Sequence, residues 1–148
     1  MGRRKSDIEY KLSIAPHRDE ITGEKSTVLL LETTRLFRSF RYEIIVHESI
    51  SDHTIFLHID GFHAPLLAMP STGTAQWKGV YKNLQGTYEL IIEKPDGEQN
   101  ASTIVISEDT IEVVKKPRYF SSRKKSKKST RAFIEIVVLP CGSLDKGT

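Results

Sequence analysis

Alternation of apolar and polar residues with a period of two runs through most of the chain and sets what it can fold into. Ile8, Tyr10, Leu12 and Ile14 fall on one side of an extended backbone, with Asp7, Glu9, Lys11 and Ser13 on the other. Successive strand side chains point to opposite faces, so such a segment buries one face and wets the other. The pattern returns with Tyr42, Ile44 and Val46, then Ile55, Leu57 and Ile59, then Tyr88, Leu90 and Ile92, and last Ile134, Ile136 and Val138. Further strands are expected over residues 27–32, 77–81, 103–107 and 110–115. Leu36, Phe37 and Phe40 leave room for one helical turn. About nine short strands at even spacing predict an all-β sandwich or barrel. The chain carries no tandem repeat, which excludes a propeller or solenoid.

Turn residues punctuate the strands. Pro16 is expected to end the first one. Asp60-Gly61 lies between two apolar runs, which predicts a two-residue type I′ hairpin. The returning strand, 62–69, contains Pro65 and so is expected at a sheet edge, because proline cannot donate to a ladder. Pro95-Asp96-Gly97 reads as a turn, and Pro140 stops the last strand.

Leu84-Gln85-Gly86-Thr87-Tyr88-Glu89-Leu90 resembles the tyrosine-corner region of immunoglobulin-like and fibronectin-III-like domains. Leu90 stands where immunoglobulin strand F has its cysteine; Trp77-Lys78-Gly79 and the later Asp-Gly turn also fit. The resemblance covers roughly residues 77–107. It implies a single immunoglobulin-like antiparallel β-sandwich of 7–9 strands, with Tyr88 buried and its hydroxyl bonded to nearby backbone. It implies no function, since such sandwiches serve many unrelated roles.

The 148 residues suffice for one domain with a core of its own. The expected organisation is a basic arm at 1–6, a sandwich domain over 7–140, and a tail at 141–148. The basic start, Met1-Gly2-Arg3-Arg4-Lys5-Ser6, is followed by alternation rather than an apolar segment. It matches the loose myristoylation spelling, and Asn100-Ala101-Ser102 spells a glycosylation sequon. No apolar run approaches the roughly 18 residues of a membrane span. One cysteine, Cys141, excludes a disulfide framework. A reducing, cytoplasmic location and no integral membrane segment are expected.

Charge is unevenly placed. Lys115, Lys116, Arg118, Arg123, Lys124, Lys125, Lys127, Lys128 and Arg131 put nine cations, and no acid, into residues 115–131. The rest of the chain holds 13 cations against 19 acids. Like charges that dense repel one another, so a long flexible loop is expected before the last strand. Such a run neutralises phosphates and releases counterions, which gives salt-sensitive binding to nucleic acid or another polyanion. Tyr119 and Phe120 lie within it and are candidates to stack on bases or to tether the loop.

The chemistry of catalysis is not spelled out. His58 and Asp60 share a strand face and His63 follows, but no two of His17, His47, His53, His58 and His63 are two residues apart. The nine glycines form no phosphate cradle, and no Gly-x-Ser-x-Gly elbow occurs. No catalytic residue, cofactor or metal is therefore expected. The expected function is a non-enzymatic module that binds a protein partner, or assembles with copies of itself, through an edge or a loop end. The alternative is polyanion binding by residues 115–131.

Overall fold

The computed structural model describes residues 8–38, 42–64, 73–108, 110–120 and 132–144, with only the main chain at 119 and 120. Nine strands follow one another: β1 (Tyr10–Arg18), β2 (Lys25–Thr33), β3 (Glu43–Ser51), β4 (Thr54–His63), β5 (Gln76–Lys82), β6 (Gly86–Glu93), β7 (Gln99–Ile106), β8 (Ile111–Phe120) and β9 (Ile134–Val138). No described residue is helical, so the alternation was read correctly and the helical turn near Leu36 is not formed. The strands make one sheet in the order β8-β7-β6-β4-β3-β5-β2-β1-β9. That sheet curls until β8 packs beside β9 and β1, giving a nearly closed, barrel-like body. It is not wholly antiparallel: β4 runs parallel to β6, β1 to β9, and β3 to β5 at a single pair.

The inward face carries the core. Leu12, Ile14, Leu29, Leu57, Leu90 and Ile104 are fully buried. Each such side chain contributes about 1.5–3 kcal/mol relative to remaining exposed. Trp77 lies along β5 over Gly79, whose missing side chain leaves room for the indole.

Three turn expectations change. Pro16 does not end β1, which continues to Arg18. The Pro16 carbonyl accepts from Gly142 N–H, so its hydrogen-bonding side points away from β2 and the absent N–H costs no ladder bond there. Asp60-Gly61 is not a hairpin turn; both residues lie within β4. The register steps from Ile45↔Gly61 to Val46↔Ile59, which leaves Asp60 as the extra residue of a bulge, with Gly61 at φ 156°. The real turn is Asp52-His53, between Ser51 and Thr54, with φ of 45° and 61°. Both values are left-handed, as a type I′ turn needs. Aspartate tolerates that region, and His53 is held by its ring against Tyr88, at 4.7 Å, and by its carbonyl, which accepts from Glu89 N–H. The strand expected over 62–69 keeps only its start, as the end of β4; Pro65 lies outside the described residues.

Tyr88 is buried, but among the described residues its hydroxyl makes no tyrosine-corner hydrogen bond. The sequon asparagine is also buried, inside β7 rather than at a turn, so the folded chain does not present it to a glycosylating enzyme. Its Oδ1 accepts from Phe133 N–H at 2.8 Å and ties β7 to the start of β9.

Lys94 strengthens the same closure. Its ammonium contacts Glu9 at 2.9 Å and Glu98 at 3.1 Å, and sits 4.9 Å from the centre of the Phe133 ring. Burial alone would lower its pKa, but hydrogen bonds to Glu9 and Glu98 outweigh burial and hold it above the ordinary 10.5. Burial, and then Glu9, raises Tyr10; burial, and then a hydrogen bond to Glu48, raises Tyr81. All three groups hold their proton more tightly folded than unfolded. Their stabilisation is therefore complete below the unfolded pKa values, 10.0 for tyrosine and 10.5 for Lys94, and is lost as pH rises through the folded ones. Urea midpoints should lose this contribution from about pH 10 upward. Lys94→Gln should soften that alkaline fall; an unchanged alkaline limb would show that Lys94 does not supply it.

Candidate interaction surfaces

The basic run does not begin as a loop. Lys115, Lys116, Pro117, Arg118, Tyr119 and Phe120 belong to β8 and lie along β7, where Arg118 faces Ala101, Tyr119 faces Asn100 and Phe120 faces Gln99. Backbone pairing outweighs the repulsion that the composition suggested. Two bulges adjust the register, and the second lets three residues of β8, ending at Arg118, span two of β7, so Pro117 is accommodated. Ser102 Oγ–H donates to the Lys115 carbonyl at 2.8 Å. Arg118 lies back over the sheet, donating from Nη1 to the Ala101 carbonyl at 3.1 Å, with Nη2 3.9 Å from Glu89. Lys115 and Lys116 are exposed. Arg123, Lys124, Lys125, Lys127, Lys128 and Arg131 lie outside the described residues.

The histidines are brought together only in part. His47 and His58 face each other across β3 and β4, with ring centres 6.2 Å apart. Asp60 lies 3.5 Å from His47 Nε2 and 4.0 Å from His58 Nε2. Glu93 meets His58 Nδ1 at 2.8 Å and accepts from Gln99 Nε2 at 3.2 Å. The result is a polar row across the outer face of β3, β4, β6 and β7. Among the described residues no histidine, cysteine or acidic group forms a set fit to hold a metal ion. His63 is exposed at the end of β4, and Cys141 is a free, exposed thiol.

The surface that the sequence did not disclose is a seam between β3 and β5. These strands meet at one register pair, Glu43↔Gln76, joined by Gln76 N–H donating to the Tyr42 carbonyl at 3.3 Å. Beyond that corner β3 pairs with β4 and β5 with β2, and among the described residues no backbone bond crosses between them. The two-residue turn makes Ser51↔Thr54 a hydrogen-bonded pair, so Val46, Glu48 and Ile50 alternate onto the side away from β4. Their N–H and C=O groups point into the seam. A side-chain bond spans it instead: the Tyr81 hydroxyl donates to the Glu48 carboxylate.

No protein-family model, no curated protein and no solved structure matches the chain. No helix of the described residues is long and apolar enough to cross a membrane.

The signal for the seam was local but easily passed over. Continuing the inward row of Ile44 and Val46 places Glu48, a carboxylate, between Val46 and Ile50. An inward-pointing charge on an otherwise apolar strand row is how edges are marked.

Proposed function

We propose that the chain is a non-enzymatic interaction module that receives a protein partner at the β3–β5 seam. The observation that supports it is the pairing lost after Glu43↔Gln76, which leaves the main chain of Val46, Glu48 and Ile50 without a strand partner among the described residues. In this reading the curled sheet works as a sandwich of the immunoglobulin-like kind, with β3-β4-β6-β7-β8 as one layer and β5-β2-β1-β9 as the other. The lone exposed thiol, Cys141, fits a reducing compartment such as the cytoplasm. A photo-crosslinking residue at Val80, on β5 beside the seam, is expected to yield discrete protein adducts in cells. The same residue at exposed Glu112, on β8, should not yield them. Identical adduct patterns would remove the reading.

A second reading has its own support. Lys115 and Lys116 are held in place on β8, exposed, immediately before the cations at 123–131. Polyanion binding through them predicts retention on heparin that falls steeply with salt. Changing Lys124, Lys125, Lys127 and Lys128 to alanine should move elution to clearly lower salt, and a further loss should follow from Lys115→Ala with Lys116→Ala. Unchanged elution would shift any polyanion contact to Arg3, Arg4 and Lys5.

A further inference from the structure

We infer that the β3 edge takes an extended peptide strand from a partner protein whose seam-facing side chains read apolar, cationic, apolar, with the cation on Glu48. The inference rests on the seam reading and specifies its ligand. Strand addition at an open edge draws affinity from main-chain hydrogen bonds, and specificity from the alternate side chains that meet the edge's own row. On β3 that row is Val46, Glu48 and Ile50, two residues apart in turn. Val46 packs against the core and Ile50 is 38% exposed, so both ends of the row offer apolar surface. Between them stands one carboxylate, held by the Tyr81 hydroxyl. A carboxylate in a half-apolar row disfavours an apolar residue opposite it and repels an acidic one, whereas a lysine or arginine gains a charge-assisted hydrogen bond. The cation takes the place of the Tyr81 hydroxyl at Glu48.

The same carboxylate argues against a second copy as the occupant. Antiparallel pairing of two β3 edges about their centre sets Glu48 opposite Glu48, a like-charge pair. The outer polar row is not in competition, since His47 points to the opposite face of β3 and faces Asp60.

The test uses the full chain and the labelled peptide Thr-Val-Thr-Lys-Thr-Val-Thr, with binding read by fluorescence anisotropy. Saturable binding is expected, with slowed amide exchange at Val46, Glu48 and Ile50. The peptide with glutamate at its centre should bind about tenfold more weakly. Glu48→Lys, a change at an exposed position, should reverse that preference. N-methylation of alternate peptide amides should abolish binding by removing the ladder donors. Equal binding of the lysine and glutamate peptides would overturn the inference and leave the seam reading standing. So would absence of peptide binding while Val80 still yields adducts in cells. A Glu48→Val chain that dimerises, beside a native chain that takes no peptide, would overturn it too, because Glu48 would then guard the edge rather than recognise a ligand.

Discussion

Asn100→Ala is expected to destabilise the protein by about 2–3 kcal/mol, since it removes the acceptor of a buried main-chain donor. Asn100 is fully buried on β7, its Oδ1 accepts from Phe133 N–H at 2.8 Å, and its Nδ2 donates to the Gln99 carbonyl at 3.0 Å. Alanine leaves the Phe133 amide without a partner where water cannot replace it, and opens a small void. For a chain of this size that loss corresponds to a fall of roughly 5–10 °C in melting temperature. The damage should be local as well as global, because Phe133 N–H is held to β7 through this one side chain. Its amide should exchange far faster in the variant, whereas Leu57 and Leu90, deep in the core, should exchange at rates that follow global stability alone. A loss below about 0.5 kcal/mol would place Asn100 among ordinary surface substitutions and show that the closure is held elsewhere.

Gly79→Val should be nearly as costly, for a steric reason. A Cβ at position 79 falls 2.5 Å from Trp77 Cη2 and 2.9 Å from Cζ2, so the indole must leave its place over the strand. Trp77 and Gly79 are two apart on β5 and share its inward face, against Leu31 and Leu29 of β2. Overpacking of this kind costs about 1–3 kcal/mol, and valine adds two methyl groups that alanine lacks. Trp77 is the only tryptophan of the chain, so its fluorescence reports the event directly. The expected result is a red-shifted emission together with a lowered urea midpoint, and a smaller effect of the same sign for Gly79→Ala. Native emission in the valine variant would contradict the described packing.

Much of this protein was legible from residue order. The inward rows Tyr10-Leu12-Ile14, Ile55-Leu57-Ile59 and Tyr88-Leu90-Ile92 are core rows in the structure, because a period of two has only one way to hide its apolar half. Turn chemistry was less reliable. Asp60-Gly61 looks like a hairpin by composition, yet glycine serves a bulge equally well, and the turn formed where Asp52-His53 gains support from Tyr88 and Glu89. Nothing adjacent in the chain announces that support. The basic run misled in a similar way. Its charge density argued for a loop from Lys115, but the carbonyls of β7 and the carboxylate of Glu89 gather Arg118 onto the sheet, and these partners lie 17 and 29 residues away in sequence.

The chain's own order of residues therefore determined the class of fold, the faces of its strands and the absence of a long apolar helix. Those follow from backbone geometry and burial acting over a few residues at a time. Only the tertiary structure decided which strands became neighbours: that β4 runs beside β6, that β1 takes β9 in parallel, and that β3 and β5 part after one pair. Strand pairing is a contest between distant segments with nearly equal hydrogen-bonding capacity. It is settled by packing across the whole body, so the seam and its carboxylate exist only once the sheet has curled.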